Sequence, residues 1–457
     1  MLPTRYLSSA TALLFIWTIA VRAGQSGKFV LINHTPYEWA QVSSSDDQME
    51  SWSFPSVIPA GAVQTVNVEW DEADFDKQAE SGAEVVYALM GTSNSFQLQA
   101  RAPSSGFTLQ ALLHNIATVG NPQGSTINLG WNTNGTTAFV LAGKEGEFAS
   151  SNPPTNWMQS SLSTIGSRQL RSIAMPGSHD AGMSVITGKT AFVDADDVLT
   201  QTGSIASQLT FGSRYFDIRP VIASGVFKTG HYSDISIVGW QGADGQAISD
   251  IINEINAFTA SNAELIVLNL SHDLNTDSGY GALTQTDWNN LLQQLTGINH
   301  LFVAPNPTSV DLTSMTLGQF IGNGQAAVLV ITQPSGSISL GSFATQGFYT
   351  YSQYNAYNSY SDTDSLSTMV SDQINKMKTV RTSPTSQLFL LSWTLTQGAG
   401  DIIDGTSILD LANEADSALS SDFPGAYTST TFPNILYIDN FASSDATALA
   451  MAVNANT

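Results

Sequence analysis

The sequence predicts an α/β chain: a TIM-type β/α barrel, irregular in its circuit, preceded by a small all-β sandwich. Three observations predict it. Short strands rich in β-branched residues alternate with helical patterns through the last two thirds of the chain, which calls for a parallel sheet with helices outside. The first third instead carries alternating strands and turn chemistry with no helical period. The length of 457 residues suits one barrel plus one extra module. An open doubly wound sheet is the alternative for the larger part.

The elements follow in order. Arg5 precedes an apolar stretch from Ala10 to Val21, broken only by Thr11 and Thr18, and Val21-Arg22-Ala23 fits a cleavage site. Residues 1–23 therefore read as a signal peptide and the protein as secreted and extracellular. The stretch falls short of the roughly 20 apolar residues that a membrane span needs. Asn33-His34-Thr35 and Asn134-Gly135-Thr136 become glycosylation candidates. Asn269-Leu270-Ser271 is discounted, because its apolar run should be buried.

Residues 24–145 form the predicted β-sandwich. Phe29 to Ile32 is a short apolar strand, Val63 to Trp70 alternates strictly, and Glu84 to Met90 and Thr137 to Leu141 look similar. Ile58-Pro59-Ala60-Gly61 and Asn121-Pro122-Gln123-Gly124 are turn chemistry. Trp39, Trp52, Trp70 and Trp131 are expected in its core, with a ligand platform as the rival. Residues 146–155, in a stretch with Gly, Ser and Pro-Pro, read as a linker. The barrel occupies 156–457. Its strands are expected at Ser172–Ala174, Tyr215–Arg219, Leu265–Leu270, Ala327–Ile331, Leu388–Leu391 and Ile435–Asp439. Between them Ile248, Ile251, Ile252, Ile255 and Phe258 follow helical spacing. So do Trp288, Leu291, Leu292 and Leu295, and Leu366, Met369, Val370 and Ile374.

Composition narrows the function. Lys plus Arg number 15 against 38 Asp plus Glu, for a net charge of −23. Nothing here could neutralise a row of phosphates, so nucleic acid is excluded as a partner. The charge also opposes electrostatic docking on anionic membranes, leaving at most transient membrane-surface contact. No obligate protein partner is evident. The chain has no cysteine, which removes disulfides, Cys-liganded zinc and thiol nucleophiles. Gly182 to Thr190 has the wrong spacing for a P-loop, and Gly322 to Ala327 precedes a strand where a dinucleotide fingerprint must follow one.

Catalytic residues of β/α barrels gather where strands finish. The first strand runs into Met175-Pro176-Gly177-Ser178-His179-Asp180. The second carries Asp217 and Arg219, and Gly230-His231 follows. Ser271-His272-Asp273 ends an apolar strand, and the last strand ends at Asp439-Asn440. A histidine has the pKa for proton transfer near neutrality, a carboxylate fixes its tautomer, and arginine suits a phosphate oxygen. Two histidines, an arginine and carboxylates suit acid/base cleavage of a phosphodiester without a metal. Each pair taken alone could be a structural ion pair; their joint occurrence at successive strand ends favours a site.

Residues Ile173 to Asp180 resemble the opening string of the X-box of phosphatidylinositol-specific phospholipase C, and Arg214-Tyr215-Phe216-Asp217-Ile218-Arg219 resembles its next segment. Gly230-His231 and Tyr437-Ile438-Asp439 resemble later pieces. The resemblance covers about residues 155 to 450 and leaves the β module outside. It implies a phosphoric diester hydrolase acting on a phosphodiester or phospholipid. His179 would be general base, oriented by Asp439, and His231 general acid, partnered by Asp180. Arg219 would stabilise the phosphoryl oxygens, with Asp217 as its buttress. Calcium-dependent members carry Asn after the first histidine and acidic residues on the second strand. Asp180 and Arg219 stand there instead, so no cofactor and no metal is expected. Ser271, Asp273 and Gln333 replace residues that contact the substrate in bacterial members, and His272 and Asp273 are expected to take over part of that binding. The rival readings are a non-catalytic lipid- or glycan-binding protein on the same barrel, and a secreted glycosidase. Tyr349, Tyr351, Tyr354, Tyr357 and Tyr360 form either an aromatic rim at the mouth or plain loop packing.

Overall fold

Phe29-Val30-Leu31-Ile32 shows how the chain is assembled. These residues belong to the strand Gln25–His34, whose successive side chains point to opposite faces. Phe29 and Leu31 enter one apolar core, Val30 and Ile32 another, and all four are fully buried. Burial on both faces explains why the run shows no polar alternation. The computed structural model describes residues 25–70, 82–103, 106–235 and 238–457. The signal-peptide expectation for 1–23 lies outside the described residues.

The Gln25–His34 strand pairs with Thr136–Ala142 in parallel and with Val63–Trp70 antiparallel, in a five-stranded sheet. A six-stranded antiparallel sheet built around Trp39–Asp47, Gly82–Leu89 and Ser95–Arg101 faces it. Trp39, Trp52 and Trp70 lie buried in the core that the two sheets share, and Trp131 packs edge-on against Trp70 at 4.5 Å. The tryptophans therefore hold the core together.

Two expectations need correction here. The linker is built into the structure: Ala149–Ser150 adds a short strand beside Thr136–Ala142, and Phe148, Ser150 and Ser151 are buried. Its Gly, Ser and Pro content marked turns, not a free tether. Asn33 is fully buried, and its Nδ2 donates to the carbonyls of Tyr37, Ile58 and Pro59. The folded chain leaves no room for a glycan there, whereas Asn134 is exposed in a turn.

Residues beyond 170 build an α/β structure around one curled parallel sheet of eight strands. Its order is Phe348–Thr350, Ala327–Thr332, Leu265–Leu270, Tyr215–Ile218, Met175–Ser178, Ile435–Ile438, Leu388–Ser392 and Ala356–Tyr357. Every ladder in it is parallel. The two edge strands are neighbours in sequence, joined through the short helix Tyr351–Tyr354, and no ladder joins them among the described residues. The circuit thus has a seam and is not a regular closed barrel. Side chains from strands far apart in the order, such as Tyr215, Val267, Ile331, Leu390 and Tyr437, meet in one inner core. The intervening side chains face the helices. Phe216, Leu268 and Val330 pack with Ile251 and Ile255 of the helix Ile248–Thr259 and with Trp288 and Leu292 of Gln285–Leu295. The latter helix begins with a capping box between Thr284 and Asp287.

The expected strand at Ser172–Ala174 lies elsewhere. A 3-10 turn covers Leu170–Ser172, and the strand is Met175–Ser178. Proline, glycine and serine have little strand propensity of their own. Packing decides instead, since a Cβ on Gly177 would meet Ile435 at 2.7 Å and Tyr215 at 3.2 Å. A second small sheet, unforeseen, stands beside the main one: Gly188–Lys189, Gly239–Ala247, Val226–Ile235, Pro220–Ala223 and Leu274–Asn275. Most of the tyrosine run is packing. Tyr349 and Tyr354 are buried, Tyr351 donates to the Ala356 carbonyl, Tyr357 stacks on Phe389, and Tyr360 alone of the five is largely exposed.

Candidate active site

Five of the six predicted catalytic side chains are set by the ends of parallel strands, and His231 comes from within the antiparallel strand Val226–Ile235. Asp180, His272 and Asn440 are non-glycine residues with φ of 39°, 53° and 44°, directly after the strands or one residue on. Left-handed backbone at such residues costs on the order of 1 kcal/mol each, so packing must impose it. It turns the chain sharply where the sheet ends and aims His179, Asp180 and Asp439 inward.

The side chains form one connected string. Asp439 Oδ1 lies 2.7 Å from His179 Nδ1. The other ring nitrogen, Nε2, lies 2.6 Å from Arg219 Nη2. A guanidinium only donates, so Nε2 must be the acceptor and Nδ1–H must face Asp439. His179 is therefore held as the neutral tautomer with its lone pair on Nε2. Arg219 continues through Nη1 to Asp180 Oδ2 at 3.3 Å and through Nε to Asp217 Oδ2 at 3.0 Å. Asp180 Oδ2 also meets His231 Nδ1 at 2.7 Å. Asp180 Oδ1 is buried with no hydrogen-bond partner among the described residues. All six predicted catalytic residues thus come together, and the two imidazoles are linked through Arg219 and Asp180.

Behind them, Ser271 and Tyr437 donate to the two oxygens of Asp217 at 2.6 and 2.8 Å. The Tyr437 ring also lies edge-on to His179 at 5.2 Å. Tyr437 was missed as a contributor in the sequence. Its signal was position, two residues before Asp439 and hence on the same strand face.

Burial and charge compete in this cluster. Burial alone would push His179 down, and Arg219 pushes the same way. The carboxylate of Asp439, aided by Asp217, outweighs both and holds its pKa above the ordinary imidazole value. Burial would raise Asp217, yet Arg219, His272 and His179 hold it well below the usual carboxylate range. His272 stands at the rim with Nδ1 2.8 Å from the Ser271 hydroxyl. Desolvation by its neighbours and the charge of Arg219 lower its pKa. Gln333 accepts from Asn269 Nδ2 at 3.1 Å and is half-buried beside the inner face.

Asp273 is anchored from several sides. Its carboxylate accepts from the backbone amides of Leu283 and Ser335 and from the Trp288 indole. It fastens the strand end to two neighbouring segments and lies buried in the lining of a small cavity beside Arg219. Backbone donors from distant loops carry no signal in the sequence.

No family model matches the chain. Among curated proteins, a PI-PLC X domain-containing protein of Dictyostelium discoideum is 36% identical over 78 residues, covering 14% of this chain and 14% of that protein. A PI-PLC X-box domain-containing protein of the same organism is 30% identical over 131 residues, 25% of this chain and 16% of that one. The chain resembles the PI-PLC X-box proteins. The matched segments span only those small shares of the relatives' length. Among solved structures, the F249X mutant of phosphatidylinositol-specific phospholipase C from Staphylococcus aureus superposes with a TM-score of 0.47 at 14% identity, over 67% of this chain and 99% of that one. The phosphatidylinositol-specific phospholipase C from Listeria monocytogenes gives 0.41 at 15%, over 64% and 96%. The residues that carry the X-box resemblance, His179, Asp180, Asp217 and Arg219, belong to the connected string described above.

Proposed function

We propose that this protein is a phosphoric diester hydrolase of the phospholipase C type, working by acid/base catalysis between two histidines. The observation that carries it is the 2.6 Å contact of Arg219 Nη2 with His179 Nε2, backed by Asp439. A lone pair poised for a proton lies against the one group suited to a phosphoryl oxygen. His179 takes the proton of the attacking hydroxyl as general base, and Asp439 stabilises the imidazolium that forms. Arg219 turns from the ring nitrogen to the phosphoryl oxygens as their charge grows. His231, held through Nδ1 by Asp180, gives its proton to the leaving alkoxide.

The reaction is proposed to need no metal. Arg219 bridges Asp180 and Asp217 and already offsets part of their charge. Asp180, Asp217 and Asp439 are each committed to a guanidinium or an imidazole, which counts against the glycosidase reading and its two working carboxylates. The substrate is proposed to be lipid-linked. Phe192, Ile235 and Val238 are exposed on the loop after Asp180 and on the hairpin that carries His231, which supports transient contact with a lipid surface. Extracellular location rests on the sequence of residues 1–23 alone.

The test is incubation with phosphatidylinositol, lysophospholipids and glycerophosphodiesters, followed by phosphorus NMR, with and without EDTA. Wild type should cleave at least one of them in both conditions, and His179→Ala should lose about 10²–10⁴ of the rate. Unimpaired turnover in His179→Ala would end the mechanism. Turnover abolished by EDTA and restored by calcium would end its metal independence.

A further inference from the structure

A cavity of about 170 Å³ opens beside Arg219, lined by Val221, Tyr232, Trp240, Asp273, Leu274 and Ser335, with His272 at its edge. Trp240 and Tyr280 stack face to face, 5° from parallel with centroids 5.5 Å apart, and Tyr232 leans on Tyr280 at 5.7 Å. All three rings rest on a small apolar floor of Val221, Ala223 and Leu274. Tyr232 stands on the strand Val226–Ile235 that carries His231, Trp240 on the adjacent strand Gly239–Ala247, and Tyr280 on a separate segment. His231 and Tyr232 are consecutive, so they face opposite sides of that strand. His231 reaches Asp180 while Tyr232 faces the cavity.

The polar groups around this cavity are largely committed elsewhere. The Tyr232 hydroxyl donates to Asp244 at 2.7 Å, and the Asp273 carboxylate is held by Leu283, Ser335 and Trp288. A polyhydroxylated ring needs several convergent donors and acceptors, or its hydroxyls are desolvated without partners. Flat rings over an aliphatic floor meet that need poorly and suit apolar surface well.

We propose that Trp240 and Tyr232, positioned by the Tyr280 ring packed against both, are specificity-determining residues that hold an apolar alkyl or aryl substituent of the phosphodiester, one ester bond away from the phosphoryl group at Arg219. The assignment rests on the phosphodiester reading above for the position of the phosphorus. The volume admits a short segment of chain or a single ring, not a whole lipid.

Calorimetric titration with dihexyl phosphate and dimethyl phosphate tests it without requiring turnover. Wild type should bind dihexyl phosphate roughly ten-fold more tightly or better, the scale expected for burying one large apolar group. Trp240→Ala and Tyr280→Ala should each erase most of that preference and leave the dimethyl phosphate affinity unchanged, while Trp240→Phe keeps most of it. Arg219→Ala should weaken both ligands alike. If Trp240→Ala loses its native circular dichroism, Tyr280→Ala reads the same quantity. No preference in wild type, no binding of either phosphate, or a preference that survives in the folded variants overturns the proposal. Retained preference in a wild-type protein that cleaves no phosphodiester would support the wall and end only the catalytic reading.

Discussion

Two arginines stand at opposite ends of one strand and do opposite things. Arg214 precedes Tyr215–Ile218 and is fully buried. Its Nε donates to Glu264 at 2.8 Å, its Nη1 to the carbonyls of Leu209 and Ser213, and its Nη2 to that of Thr155. Glu264 in turn accepts from the backbone of Met158 and Gln159. Arg219 follows the strand, keeps 17% of its side chain exposed, and spends one donor on the imidazole nitrogen of His179. A neutral ring nitrogen is a weaker partner than a phosphoryl oxygen bearing charge. The first guanidinium gives four of its five donors to protein acceptors and closes the bottom of the sheet; the second has a partner that a ligand can replace. The difference between structure and function here lies in who accepts the hydrogen bonds, not in residue type.

That contrast can be broken at either end. Glu264→Gln leaves Arg214 buried without its counter-charge and should cost about 3–5 kcal/mol of stability, read as a lowered urea midpoint. Turnover per folded molecule should stay near wild type. Arg219→Lys should do the reverse. The charge remains but the planar fork is lost, so kcat should fall by about 10² while the urea midpoint moves little. Equal effects of both substitutions on both measurements would dissolve the distinction. A smaller effect sharpens it further. Asp439 is what raises His179 against burial and Arg219, and a base works only when unprotonated. The acid limb of kcat/KM in wild type should therefore lie above the ordinary imidazole range. Asp439→Asn should move that limb to lower pH while lowering the plateau, which a pH–rate profile would show.

Sequence legibility followed the same division between packing and chemistry. Leu265–Leu270 was readable to the residue because a run of Leu, Ile and Val between turns has few alternatives. Met175–Ser178 was misplaced because its residues have no strand preference and only the neighbours Tyr215–Ile218 and Ile435–Ile438 define it. The hairpin of Val226–Ile235 and Gly239–Ala247 hid behind glycine, serine and aspartate, yet it carries His231 and two rings of the aromatic wall, Tyr232 and Trp240. Five of the six charged and imidazole residues of the candidate site were legible because they lie at or just beyond the ends of parallel strands, whereas His231 sits within the strand Val226–Ile235. The anchoring of Asp273 was not legible because its partners include main-chain amides ten and sixty-two positions away. Sequence gives no sign of which loops will return to a given strand end.

The strand Gln25–His34 carries one more consequence. Val30, Ile32, Val140 and Ala142 turn away from the β-sheets' shared core and pack among Leu411, Ala415, Leu449 and Val453 of the helices Ile408–Asp422 and Asp445–Asn456. A truncation that began at the eight-stranded part would strip those helices of their cover and leave a greasy, aggregation-prone flank facing water. The two halves of this chain are not beads on a string. They share an interior through that strand face.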